Sequence, residues 1–301
     1  MKIKIISDST CDLSAQMIAE NDIALTPLTV VKNDEQFKDG VTITPSEIFA
    51  HVAAGGDLCT TAANSIGEYA DVFEKYCADY DGVVVITLGS GFSACYQNAC
   101  LAAEDFPNVR VVDSQNLTTG QGMVVLKACE LAKTADDLDV LAEELRAYTE
   151  KVEASFIVDK LDYLVKGGRC SSAAALGANL LNLKPCIEVK NGKMSVGKKY
   201  RGNYAKCLVN YTKERLDGQE DIDTDTIFIT RTVIDEDAYA AVVDTVKQHS
   251  NFKNIYESVA GCTISCHCGP GTLGIILWFL FRKVCSRRPE NVHQHMYFVP
   301  L

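Results

Sequence analysis

The stretch Val83-Val84-Val85-Ile86-Thr87-Leu88-Gly89-Ser90-Gly91-Phe92-Ser93 decides the fold class. Its first five residues are all β-branched, which suits a buried strand. Two glycines then permit a tight loop, and Ser93 is the expected N-cap of a helix continuing through Tyr96, Ala99 and Ala103. Strand, glycine loop and capped helix in that order make the first part of a βαβ unit. Working outward, Ile3–Ser7, Ile23–Val31 and Val109–Val112 read as further strands. Thr44-Pro45-Ser46-Glu47 and Ser65-Ile66-Gly67-Glu68 are capping boxes that open helices. Thr134 is expected to open another, with Leu138, Leu141, Leu145 and Tyr148 at helical spacing. Such alternation predicts a parallel sheet covered by helices on both faces.

After about residue 153 the pattern changes. Phe156–Val158 reads as a strand, followed by the polar stretch Lys166-Gly167-Gly168-Arg169-Cys170-Ser171-Ser172. Pro185–Val189 and Met194–Val196 flank Asn191-Gly192, the strongest short signal for a hairpin. Ile227–Thr230, Ile255–Val259 and Thr272–Phe279 are further strands, and Asp235 caps a helix bearing Tyr239, Val242 and Val246. This half is predicted to be mixed α/β. Without a Pro-, Gly- or Ser-rich linker between them, the halves are expected to share a broad interface.

The chain has 301 residues with 29 Lys+Arg against 40 Asp+Glu, hence a net charge of −11, and 47% hydrophobic content. That supports a sizeable core and excludes a disordered tail protein. The acidic balance argues against nucleic acid as a partner, since phosphate binding needs concentrated Lys and Arg. No apolar run reaches the roughly 18–20 residues of a membrane span; Leu273–Phe281 ends at Arg282-Lys283. Cysteines such as Cys77, Cys100, Cys129 and Cys207 lie in apolar stretches, and MKIKIISDST carries no secretory signal. Free thiols in a reducing cytoplasm are therefore expected. Cys262, Cys266, His267 and Cys268 lack a second ligand pair at a workable distance, so no metal is expected.

In open α/β sheets ligands bind beyond the carboxyl ends of strands. Hydroxyls crowd those positions here: Ser7, Ser9 and Thr10, Thr60 and Thr61, Ser90 and Ser93, Ser114, and Thr230. A helix start after Ser93 could hold a small anion on its unpaired N–H groups, although the same loop works as a capped turn with no ligand. The sequence contains no GxxxxGK[ST], and Gly89-Ser90-Gly91 is not a five-residue nucleophile elbow. Ser93, His267 and Asp8 could be assembled as a triad, but their spacing does not single them out. His51, His249, His293 and His295 read as surface residues. His267 lies in Ser265-Cys266-His267-Cys268-Gly269-Pro270-Gly271, read as a turn ahead of an apolar strand.

Taken together, an ordered set of motifs resembles the DegV family, the bacterial fatty-acid-binding subunits of fatty acid kinase. Ile5-Ile6-Ser7-Asp8-Ser9-Thr10-Cys11-Asp12-Leu13 is similar to its SDSTxDL start. Pro27-Leu28, Asp39-Gly40 and Thr60-Thr61 follow, and Ser90-Gly91-Phe92-Ser93-Ala94-Cys95-Tyr96-Gln97 resembles its SSxLSGTYQ segment. Val112-Asp113-Ser114, Lys166-Gly167-Gly168-Arg169, Lys184-Pro185, Arg201-Gly202 and His267-Cys268-Gly269-Pro270-Gly271 continue in the family order. The chain departs from the family at Ala62-Ala63-Asn64, where Ser-Gln-Pro is usual, and at Ala94-Cys95, where Gly-Thr is usual.

The resemblance implies a two-domain DegV-like α/β fold: residues 1–153 as an N-terminal α/β/α parallel-sheet domain, residues 154–285 as a C-terminal mixed-sheet domain, and 286–301 as an atypical tail. It implies a long-chain fatty acid of the palmitate, stearate or oleate class between the domains and no other cofactor. The carboxylate would be held by Ser93 and Thr61, with Arg169 and His267 near the head group or facing a kinase. Ser9, Ser90, Gly91 and Ser114 would belong to the supporting loops. The chain would then present its lipid to an ATP-dependent fatty acid kinase subunit and have no catalysis of its own. A serine-dependent hydrolase using Ser93 and His267, and a carrier or sensor of another amphipathic acid, are the alternatives.

Overall fold

The computed structural model describes residues 1–175, 183–218 and 221–280. The expected tail 286–301, and residues 281–285 of the expected second domain, lie outside the described residues. Strands run β1 (Ile3–Asp8), β2 (Ala24–Thr26), β3 (Thr29–Lys32), β4 (Glu35–Lys38), β5 (Thr60–Ala62), β6 (Gly82–Thr87) and β7 (Val109–Asp113). Then come β8 (Val152–Val158), β9 (Leu183–Lys190), β10 (Lys193–Arg201), β11 (Thr226–Arg231), β12 (Asn254–Val259) and β13 (Thr272–Trp278). A 4-stranded parallel sheet has the order β2-β1-β6-β7, and a 6-stranded mixed sheet the order β10-β9-β8-β13-β11-β12. A small antiparallel sheet, β4-β3-β5, sits beside them. The fold is thus the expected α/β class, parallel in its first half and mixed in its second. β6 is buried along its whole length between β1 and β7, which is why its sequence is continuously apolar rather than alternating.

Three local expectations change. The run Ile23–Val31 breaks at Pro27, which has no N–H to give a ladder; β2 joins the parallel sheet and β3 the small one. The helix assigned to Thr134 begins at Leu138, because the Asp137 carboxylate accepts the N–H groups of Asp139 and Val140. A helix over Thr118–Ala132 was not anticipated at all. Its opening Thr118-Thr119-Gly120-Gln121-Gly122 has poor helix propensity, and burial on several sides leaves no polar stripe to read.

That helix is the layer shared by the two large sheets. Val124, Val125 and Ala128 pack into one core with Ile5, Val84 and Ile86 of the parallel sheet and with Ala154, Phe156 and Ile276 of the mixed sheet. Buried hydrogen bonds fix its position. Gln121 Nε2 donates to Ser7 Oγ and Asp8 Oδ1, both at 2.9 Å. On the other side, the hydroxyls of Thr119 and Thr230 meet at 2.5 Å.

Two further contacts bring the halves together around one point. The β9–β10 hairpin turns through Asn191 and Gly192, both left-handed at φ 52° and 69°, as a primed two-residue turn requires. Its tip rests on the loop after β6, where a Cβ on Gly91 would stand 2.0 Å from the Gly192 carbonyl oxygen; only glycine fits there. The second contact is the short helix Cys262–Cys268, which has no cap of its own. Its first N–H groups, from Cys262 and Thr263, donate to the two carboxylate oxygens of Asp39 at 2.8 and 3.1 Å. Gly261 N–H donates to Asp12 Oδ1 at 2.9 Å, and Ser9 Oγ donates to Asp39 Oδ2 at 3.0 Å. Asp39 is therefore an N-cap supplied from more than two hundred residues away. Hydrogen bonds to a charged group are worth about 1.5–3 kcal/mol each, so Asp39→Ala is expected to cost about 2–4 kcal/mol after partial rehydration of the freed N–H groups. Urea unfolding would register this as a lower midpoint at unchanged slope; a midpoint equal to that of the parent chain would show that the cap contributes nothing.

Candidate functional site

Four side chains from distant segments converge on one cavity. Thr61 arrives on β5, Ser93 on the loop after β6, Arg169 just past the helix Asp162–Gly167, and His267 near the end of the helix Cys262–Cys268. All four line a single small cavity, walled otherwise mostly by apolar groups including Leu28, Phe92, Met194 and Ile264.

Thr61 Oγ1 and His267 Nε2 are 2.8 Å apart. The imidazole is largely buried, and Gly167 permits this: a Cβ there would lie 2.5 Å from His267 Nδ1. Nδ1 itself is buried and has no hydrogen-bond partner. Burial, and secondarily the neighbouring Arg169 guanidinium, push the imidazole pKa down from 6.5 to about 4, so the ring is neutral at neutral pH. Arg169 is exposed at the rim, where its Nη1 donates to the Gly167 carbonyl at 2.6 Å.

The expected residues separate into two groups. Ser93 does not cap the helix: Ala94 holds that position, and Ser93 Oγ accepts the Cys95 N–H at 3.2 Å while lying 3.1 Å from Cys95 Sγ. It nonetheless lines the cavity. Ser9, Ser90 and Ser114 are not among the residues lining it. Ser90 Oγ donates to Asp113, Ser114 Oγ to the Asn116 carbonyl, and Ser9 to Asp39; each holds a loop in place. Gly91 serves the hairpin contact described above. His267, read as part of a turn, is helical. In a helix Thr263 and His267 sit four apart on one side, and Thr263 also lines the cavity with a buried hydroxyl that has no partner. Cysteine-rich composition and the trailing Gly269-Pro270-Gly271 hid that periodicity.

The triad reading does not survive the geometry. Asp8 is buried and accepts from Thr10, Gln121 and the Leu88 N–H, not from His267. The hydroxyl bonded to His267 is that of Thr61, and no carboxylate orients the ring through Nδ1. Among the described residues, no cluster of His, Cys, Asp and Glu is arranged to hold a metal ion, and no helix is long and apolar enough to cross a membrane.

A second, narrow cavity adjoins the first and shares Leu117, Ile264 and Cys268 with it. It runs inward between the mixed sheet and the start of the helix Thr118–Ala132, over Ala154, Phe156 and Ile276. A polar mouth thus leads to an apolar interior.

The model of the DegV family, described as "Uncharacterised protein, DegV family", matches residues 2–279. The chain belongs to the DegV family. A DegV domain-containing protein of Clostridium perfringens is 31% identical over 271 residues, covering 89% of this chain and 95% of that one. A DegV family protein from Thermus thermophilus, described as binding fatty acid, superimposes with a TM-score of 0.84 at 31% identity, covering 93% of this chain and 100% of the other. A stearic-acid-binding protein from Eubacterium ventriosum superimposes with a TM-score of 0.81 at 25% identity, over 92% of this chain and 98% of the other.

The neutral imidazole makes a checkable statement about stability. The unfolded chain takes up the His267 proton near pH 6.5 and the folded chain only near pH 4, so acidification through that window favours unfolding. Comparison with His267→Gln removes the contributions of Asp8 and Asp12, which both chains share. The stability difference is expected to move in favour of the variant by up to about 1.4 kcal/mol per pH unit between pH 6.5 and 4. Denaturation at stepped pH measures it; a pH-independent difference would mean that the ring is not buried as described.

Proposed function

We propose that this chain binds a long-chain fatty acid, with its carboxylate at Thr61 and Ser93 and its tail in the inner cavity, and presents it to a partner kinase that forms the acyl phosphate. The observation that carries the reading is the convergence of Thr61, Ser93, Arg169 and His267 on the mouth of an otherwise apolar channel. The fatty-acid-binding relatives from Thermus thermophilus and Eubacterium ventriosum support it.

Energetics divide the work. Burying a methylene is worth about 0.8 kcal/mol, so the roughly fourteen methylenes of palmitate offer about 11 kcal/mol before entropy costs. A hydrogen bond to a carboxylate adds only about 1.5–3 kcal/mol. The tail supplies affinity and the hydroxyls supply orientation. With the imidazole proton on Nε2, His267 donates to Thr61 Oγ1, which leaves the Thr61 hydroxyl proton free for the carboxylate. A neutral cradle holds the anion without neutralising it, so one oxygen keeps the nucleophilicity needed to attack ATP. Arg169 at the rim suits the phosphate or the kinase surface.

The chain itself lacks a bonded Ser93–His267 pair, and we propose no catalytic activity of its own. Native mass spectrometry of the purified protein should reveal palmitic, stearic or oleic acid released by organic solvent. Thr61→Val and Ser93→Ala are expected to retain the lipid while slowing acyl-phosphate formation by a bacterial fatty acid kinase by at least about tenfold, the effect of roughly 1.4 kcal/mol. His267→Ala and Arg169→Ala should behave likewise. Purification without any acid would overturn the binding reading, and unchanged phosphorylation would overturn the head-group assignment.

A further inference from the structure

The inner cavity stops one side-chain layer short of a third and larger space, and the layer between them is built from identifiable residues. Along β13, Thr272, Gly274 and Ile276 line the inner cavity, whereas Trp278 lines an outer cleft of about 420 Å³. On β11 and just past its end, Thr230 and Thr232 line the inner cavity, whereas Phe228 lines the outer cleft. Alternate residues of a strand share a face, so the two spaces lie end to end on the same side of the mixed sheet. Strand register makes the boundary explicit: Phe228 stands opposite Ile276, and Ile276 opposite Ala154. One step of two residues, about 7 Å, therefore carries the path from one space to the other.

The facing helix has the same order. Leu117 and Thr118 border the inner cavity, and Met123 and Leu126 border the outer cleft. Phe228 is 1% exposed and Met123 5%, and the Phe228 ring packs on Tyr256 with centroids 5.2 Å apart. Gly274 leaves open the floor of the inner cavity in the middle of a strand, a place where glycine marks close approach of a ligand.

We infer that Phe228 and Met123, backed by Ile276, form the end wall of the acyl channel and set the longest chain the protein accepts. The inference rests on the fatty-acid reading above and adds the residues that decide chain length. Opening the wall joins the inner cavity to the outer cleft, which Lys127, Glu130 and Asp225 also border. Filling the floor shortens the channel from the inside.

The test is competition binding of laurate, palmitate, stearate, arachidate and behenate to delipidated full-length protein. In Phe228→Ala, the affinity for behenate relative to palmitate should rise at least about tenfold, the worth of two additional buried methylenes. Met123→Ala should move the ratio in the same direction, and it carries the expectation alone if Phe228→Ala loses its cooperative unfolding transition. Ala154→Leu, which adds bulk to the inner cavity, should weaken stearate at least about tenfold relative to laurate. Chain-length profiles identical to wild type in folded variants would overturn the end-wall assignment while leaving fatty-acid binding intact. If the wild-type chain binds none of the five acids, it is the proposed function that fails.

Discussion

The grip of Asp39 on the helix Cys262–Cys268 is the constraint on which the site depends. A seven-residue helix cannot sustain itself in water, and this one begins without a local cap. The carboxylate of Asp39 receives its first two N–H groups, and Asp12 receives the N–H of Gly261 just before it. Both acids belong to loops of the first half of the chain, so the same contacts that complete the helix also dock the second half on the first. His267 and Thr263, which line the cavity, inherit their positions from that docking. Burial of Asp12, with repulsion from Asp39, raises its pKa well above the usual carboxylate value and so favours its neutral form, while hydrogen bonds from the Thr118 hydroxyl and the Gly261 N–H oppose that shift.

Much of this architecture was legible from residue pattern. The capping boxes at Thr44 and Ser65 and the Asn191-Gly192 turn are local signals with local causes, and each recurs in the structure as read. What could not be read locally was set by contacts distant in sequence. The helix Thr118–Ala132 has threonines and glycines where a solvent-facing helix would carry good formers, because it is stabilised by two sheets rather than by propensity. The helix carrying His267 depends on a cap supplied by Asp39, so its own sequence lacked the usual starting signal. Ser93 was misread for the opposite reason: its hydroxyl does accept a backbone N–H, but from Cys95, one residue ahead of where a cap would act. In the sequence only family resemblance groups Thr61, Ser93, Arg169 and His267; hydrophobic periodicity alone does not pair Thr61 with His267.

The departures at Ala62-Ala63-Asn64 and Ala94-Cys95 find places within this frame. Asn64 is buried, with Nδ2 donating to the Thr26 carbonyl at 3.2 Å and its own carbonyl accepting from Asn98 at 2.8 Å. It therefore ties the strand carrying Thr61 to the parallel sheet and to the helix behind Ser93, work that a proline could do only by rigidity. Cys95 meets the Ser93 hydroxyl through its thiol. A thiol is a weaker acceptor than a threonine hydroxyl, so the Ser93 proton is held less firmly than a threonine at position 95 would hold it.

The channel itself follows from what the shared layer between the sheets is unable to fill. Close packing is the default of protein interiors, and an apolar void persists only where neighbouring groups cannot collapse into it. Here the helix Thr118–Ala132 is pinned at both sides, by Gln121 to β1 and by Thr119 to Thr230, so it cannot settle onto the sheet. Gly274 then removes a side chain from the strand face directly opposite. Buried polar bonds that look like stabilisation of the helix therefore act as spacers, and between the spacers Leu117, Ala154, Phe156, Ile264 and Ile276 give the space they preserve its apolar walls, alongside threonines such as Thr232 and Thr272. On the proposed function a lipid tail would recover the packing that the spacers deny to the protein.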